Sequence, residues 1–335
     1  MENNTELFKG ELMEEKLRMY FLQNGYYVAR GVKYTYENNE ITDLDLFLYG
    51  RVSIMTRERT NVDLKNKKNP KAFERILWAK GLQNVLDFDN CVVGTMDRKE
   101  SVKNFARLNA VTLLDGSFLQ KLNYKLDDRL SEEEFMNIAG QFSSLKEFSN
   151  ANWKNLYERS KSKLLNELDY SGFNSTLLLI KYFINNFFNI QKKETSIRLI
   201  YVIISHSLVI LDYILKDIAF LEIETRREHL SNGFKYGNLG EAGITNTVEM
   251  AVKISGSKMT SEQIKNSLDK SNFNILSEYF AKAENIKNIF KFAILFEEIA
   301  FNRSVVAPDF LPLELKSIVA VFLDYFEINR KKFFS

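Results

Sequence analysis

The apolar residues of this 335-residue chain change their period once, near residue 130, and that change limits what the chain can fold into. Before it, apolar runs are short, often alternate with polar residues, and lie between seven of the fourteen glycines. That is the mark of strands joined to short helices by tight turns. After it the alternation disappears and Phe, Ile and Leu recur at helical spacing, as in Leu177–Ile190. Only three prolines occur, Pro70, Pro308 and Pro312, so helices in the second region can run unbroken. The pattern predicts the order α-β-β-β-α-β-α-β-α for the first region, a mixed sheet flanked by helices. An all-helical domain follows, with helices over 131–147, 150–168, 173–190, 195–230, 244–254, 260–271, 273–283, 285–303 and 312–328. Ser131, with Glu134 three residues on, reads as a helix N-cap. The division is expected at 1–128 and 129–335.

Composition excludes several classes of function. Lys and Arg number 46 against 44 Asp and Glu, a net charge of +2, which rules out a uniformly basic nucleic-acid coat. A single cysteine excludes a disulfide framework and a cysteine-based zinc cluster, and two histidines exclude a multi-His site. The polar, acidic N-terminus does not read as a secretory leader. Leu199–Leu215 is long enough to cross a bilayer, but His206 and Asp212 interrupt it and charges flank it. A buried helix, a cytoplasmic location and no membrane partner are the expectation.

The chemistry concentrates in the first region. Asp43 and Asp45 alternate on one strand, so their side chains leave the same face. Asp63-Leu64-Lys65 places a carboxylate and an ammonium on one face of the next strand. Hairpin pairing would bring Asp45 and Asp63 within reach of one ion, and hard oxygen ligands of this kind suit Mg²⁺ or Mn²⁺. The same pattern also fits a charged, solvated sheet face, although Leu44, Leu46, Phe47 and Leu48 place the acids beside a core where unpaired carboxylates are costly.

These residues resemble the PD-(D/E)XK nuclease superfamily, especially the Mrr-type restriction endonucleases and their Holliday-junction-resolvase relatives. Glu14 precedes Gly25-Tyr26 by the family's interval of about eleven residues, Asp45 in EITDLDLFL matches the strand acid, and Asp63-Leu64-Lys65 matches the (D/E)XK pair. CVVGTM, KESVKNFARLNAV and TLLDGSFLQKL match the later strand, helix and Asp-Gly strand end. The likeness covers about residues 8–125. It implies a restriction-endonuclease-like fold and a Mg²⁺- or Mn²⁺-dependent endonuclease cutting DNA, of the kind found in restriction or phage-defence effectors. Asp45 and Asp63 would ligate the metal with Glu14 near it, Lys65 would be the catalytic lysine, and Asp43 would be accessory or a surface acid. Glu15 competes with Glu14 for the helix role.

Between Arg51 and Lys80 nine basic residues face three acidic ones, an excess of six in a chain of +2. Lys67, Lys68 and Arg30 are the candidate phosphate contacts. The Phe- and Ile-rich second region motivates a different reading, a catalytically inactive nuclease-fold module acting through its helices. Those helices would bind a partner protein or a second copy. A ribonuclease using the same site is a third. Cys91 and His206 read as core residues, and Trp78 and Trp153 as helix anchors.

Overall fold

The computed structural model describes residues 7–37, 39–65, 71–144, 148, 151–245, 247 and 271–335. Lys67 and Lys68, and most of the helices expected over 244–254 and 260–271, lie outside the described residues. The chain divides into two compact units, residues 1–166 with 298–305 and residues 167–297 with 306–335.

The first unit opens with α1 (Lys9–Gln23). It stops where Gly25 adopts φ +85°, a conformation that suits glycine, and the Tyr26 amide closes the end on the Phe21 carbonyl. Strands β1 (Tyr27–Tyr36), β2 (Asn39–Arg51) and β3 (Arg57–Lys65) form an antiparallel meander. Helix α2 (Ala72–Val85) then crosses to β4 (Asn90–Thr95), and α3 (Glu100–Leu108) crosses to β5 (Thr112–Leu114). Both later strands pair in parallel, so the sheet runs β1-β2-β3-β4-β5. A short α4 (Gly116–Leu119) follows, capped by the Asp115 carboxylate. The expected order of elements is present, ending in a mixed five-stranded sheet.

Alternation along the strands builds a core on each side. Leu46, Leu48, Val62, Leu64 and Val92 pack with Leu17 and Phe21 of α1. Cys91 and Val93 pack with Ile76 and Ala79 of α2 and Val102 of α3, so Cys91 is a core residue as expected. Asp63 lies between Val62 and Leu64 and therefore turns towards α2.

Helices α5 (Glu132–Ala139) and α6 (Trp153–Asn166) belong to this unit, which moves the division from the expected 128/129 to 166/167. Ser131 caps α5 through Glu134 as expected. Buried charges tie α5 and α6 to α1 and β1 and so carry this unit past the expected boundary. Lys161 of α6 donates to the Arg30 carbonyl at 2.6 Å and to Glu132 at 2.5 Å, and the Glu132 amide donates to Glu15 at 2.9 Å. Arg18 adds a contact to Glu132 at 3.2 Å. Burial opposes the Glu132 charge, but Lys161 and Arg18 outweigh it and hold the carboxyl down at about 2.

The second unit is helical: α7 (Tyr170–Phe187), α8 (Lys193–Leu215), α9 (Ile223–Tyr236), α10 (Phe273–Phe280), most of α11 (Ala283–Phe301), α12 (Leu313–Tyr325) and α13 (Arg330–Phe333). The apolar stretch 190–215 is long enough to cross a membrane, but its apolar window is 94% buried inside the protein, so it is a core helix. The single helix expected over 195–230 is two helices, with a break over residues 216–222. Arg226 holds the break by donating to the carbonyls of Ala219, Leu221 and Ala281.

Candidate active site

The two acid-bearing strands part at the acids themselves. β2 and β3 pair from Arg51↔Arg57 to Leu46↔Val62, and the next residue on each strand is Asp45 or Asp63. Beyond that point β3 stays with β4, from Asp63↔Val93 to Lys65↔Thr95. The amide of Leu64 donates to Asp45 Oδ2 at 2.5 Å, so a side chain takes a place the ladder has vacated. Burial pushes the Asp45 carboxyl up, the Leu64 amide and Lys65 draw it back, and the Asp43 charge pushes it further up. Lys65 is half-buried at the end of β3, and Asp43 is exposed.

Glu14 on α1 belongs to the same group. Its carboxyl is raised by burial, lowered by Arg30, and raised again by the Asp45 charge, which places the two acids within electrostatic range. Glu15 does not compete for this position. It is buried, accepts from Arg30 and the Glu132 amide at 2.9 Å each, and lies 3.6 Å from Arg18.

Asp63 faces a different partner. It is buried, and the Arg75 guanidinium on α2 grips both carboxylate oxygens, with Nε donating to Oδ2 at 2.7 Å and Nη2 meeting Oδ1. Burial lowers the Arg75 pKa, while the charges of Asp45 and Asp43 support it. One guanidinium thus lies in the field of three carboxylates. Sequence reading counted Arg75 only in the basic rim; its signal was a position on the next helix, twelve residues after Asp63.

The structure therefore brings Glu14, Asp45 and Lys65 into one neighbourhood and gives Asp63 to Arg75. Asp45 and Glu14 offer oxygen donors of the kind Mg²⁺ or Mn²⁺ takes. As arranged, Asp63 is withheld from a metal, because Arg75 already holds both of its oxygens, and Asp45 and Glu14 are the acids left to hold one. Among the described residues no group of three His, Cys, Asp or Glu side chains could hold a metal ion.

Arg30, expected at a phosphate, has a different role. It is 3% exposed and donates to Glu14 at 2.8 Å, Glu15 at 2.9 Å and Glu133 at 2.8 Å. Three carboxylates saturate it, and it reaches no external anion. Trp153 is a buried anchor as expected, whereas Trp78 is half exposed on the outer face of α2. Comparison with protein-family models, with curated proteins and with solved structures found no match for the chain.

Proposed function

We propose that the α/β unit is a restriction-endonuclease-like domain and acts as a divalent-cation-dependent endonuclease on DNA. The observation that carries this reading is the crowding of Glu14 and Asp45 where β2 and β3 part, with Lys65 beside them. Two carboxyls raised by burial and by neighbouring negative charge make a site that favours an incoming cation. A bound divalent ion would polarise a phosphodiester and a water. Lys65, drawn to Asp45, would steady the negative phosphoryl oxygens, and Glu14, held by Arg30, would keep its carboxyl towards the same group. Asp63 would join only by exchanging Arg75 for the metal.

Plasmid DNA incubated with Mg²⁺ tests this. The wild-type chain is expected to cut, and Asp45→Asn and Lys65→Ala each to lose about 100-fold or more in rate. Equal cutting by all three, or by none, overturns it, and matched RNA separates a ribonuclease from a deoxyribonuclease. The Asp63–Arg75 pair favours one second reading, a non-catalytic scaffold whose internal cation is permanent. If Mn²⁺ binds neither the wild-type chain nor Arg75→Ala, that reading stands instead.

A further inference from the structure

We propose that Arg30 is a positioning residue of the candidate centre and that Glu133 on α5 holds it in place. The inference rests on the reading of Glu14 and Asp45 as a cation site. It adds to that site a buried guanidinium that binds one oxygen of Glu14 and leaves the other for the ion.

On β1, Arg30 lies opposite Leu46 of β2 and Val32 opposite Leu44, so Gly31 between them is level with Asp45. Cross-strand partners share a face of the sheet, and Leu46 packs with α1, so the Arg30 side chain also leaves towards α1. There the guanidinium sits between two neighbouring carboxyls. Its Nε and Nη2 both meet Oε2 of Glu14 at 2.8 Å, while Nη1 donates to Oε1 of Glu15 at 2.9 Å. Every described donor to Glu14 goes to Oε2, which leaves Oε1 for an ion. Nη1 also donates to Glu133 at 2.8 Å, and Lys161 holds the Arg30 carbonyl at 2.6 Å. A guanidinium is a planar fork, so turning it to release Glu14 would break its bonds to Glu15 and Glu133 as well. The charges of Glu15 and Glu133 offset its own, and the arginine can orient Glu14 without making the centre repel a cation. Partners that orient a metal ligand in this way contribute about 10–100-fold to metal affinity. Glu15 and Arg30 are buried, whereas the Glu133 side chain is 25% exposed, so Glu133 is the part of the hold that can be changed without opening the core.

Calorimetric titration of the full chain with Mn²⁺, in the absence of DNA, tests the proposal. Glu133→Ala takes an acceptor from the fork and is expected to weaken Mn²⁺ binding about tenfold, with unchanged far-UV circular dichroism. Glu133→Gln keeps an acceptor for Nη1 and is expected to stay within about threefold of the wild type. If Glu133 served only as one more negative charge near the ion, the two variants would lose affinity equally. Arg30→Lys keeps the charge without the fork and is expected to weaken binding about tenfold or more. Should that variant fail to fold, the two Glu133 variants decide alone. The proposal is overturned if Glu133→Ala binds Mn²⁺ as the wild type does, or if Glu133→Gln loses as much affinity as Glu133→Ala. A wild-type chain that binds Mn²⁺ and follows this order, yet cuts no nucleic acid, supports the role of Arg30 while removing the endonuclease reading. A wild-type chain that binds no Mn²⁺ overturns both.

Discussion

Two aspartates of the same sheet show how position sets the behaviour of one side chain. Asp115 caps α4 by accepting from the amides of Phe118 and Ser117, and with Lys103 nearby its carboxyl falls below the ordinary range. Asp45 accepts a single amide and otherwise lies half-buried beside like charge, so its carboxyl rises. A folded-state pKa above the unfolded one favours the protonated form. Its contribution to stability is present below the ordinary carboxylate pKa and is lost as pH rises through the folded value. At neutral pH the Asp45 charge therefore works against folding. Asparagine keeps an acceptor for Leu64 and removes the charge. Asp45→Asn is expected to stabilise the metal-free protein by about 1 kcal/mol at pH 7, a rise in Tm of about 2–4 °C. The difference should narrow as pH falls towards 4 and the wild-type carboxyl takes up a proton. Thermal melts in EDTA at the two pH values check this, and a lower Tm for the variant at pH 7 contradicts it.

At the scale of elements, the break between α8 and α9 has a sequence cause that periodicity does not reveal. The stretch 195–230 keeps apolar residues at helical spacing throughout, and Ile218 and Ala219 of the break are themselves buried. The chain leaves the helix after Leu215 and resumes at Ile223, with Arg226 supplying the donors that the carbonyls of Ala219 and Leu221 have lost. Arg226→Met keeps the length of the stem and removes the donors, leaving the buried carbonyls of Ala219 and Ala281 and the half-buried one of Leu221 without this partner. A loss of about 2–3 kcal/mol is expected, since each unpaired buried acceptor costs about 1–3 kcal/mol and water relieves some of it. Urea denaturation followed by circular dichroism reads this, and a loss under about 0.5 kcal/mol would show that the arginine is incidental. The example marks what was legible in the sequence. Strand alternation, Gly25 as a helix stop, the Ser131–Glu134 cap and the order of the α/β elements are local signals, and they could be read directly. The break, the attachment of α5 and α6 to the sheet, and the Asp63–Arg75 pair depend on partners far apart in the chain. The fold buries Lys161 and Arg30 and half-buries Arg75, each against a partner far away in the sequence or on another element. For the candidate site, sequence brought Glu14, Asp45 and Lys65 together but could not distinguish Glu14 from Glu15, which differ only in which way the helix turns them.

Across the whole molecule, the distribution of positive charge decides how the protein would meet a polyanion. The segment from Arg51 to Lys80 carries nine basic residues, yet five of them, Arg51, Arg57, Arg59, Arg75 and Lys80, already engage other groups of the protein. Arg57 is 6% exposed and donates to the carbonyls of Ser53, Ile54 and Thr56. Arg59 donates to the Asp87 carbonyl and lies over the Phe88 ring, Arg75 holds Asp63, and Lys80 donates to Gln83 at 2.9 Å. Lys71 pairs with Glu74 only at the exposed surface, where such pairs contribute little. That leaves Lys65, with Lys67 and Lys68 of the sequence beyond it and Lys71 as an occasional fourth, to meet a phosphate backbone. Each phosphate contact on duplex DNA steepens the dependence of log K on log salt by about 0.9. Nine contacts would give a slope near −8, whereas three or four give about −3 to −4. Binding of a short duplex measured by fluorescence anisotropy between 50 and 300 mM NaCl is expected to show the shallower slope. Lys67→Ala with Lys68→Ala should then flatten it by about 2. A slope near −8 would mean that Arg57, Arg59 and Arg75 leave their internal partners when DNA binds. In that case Asp63 would be released for a metal by the substrate itself.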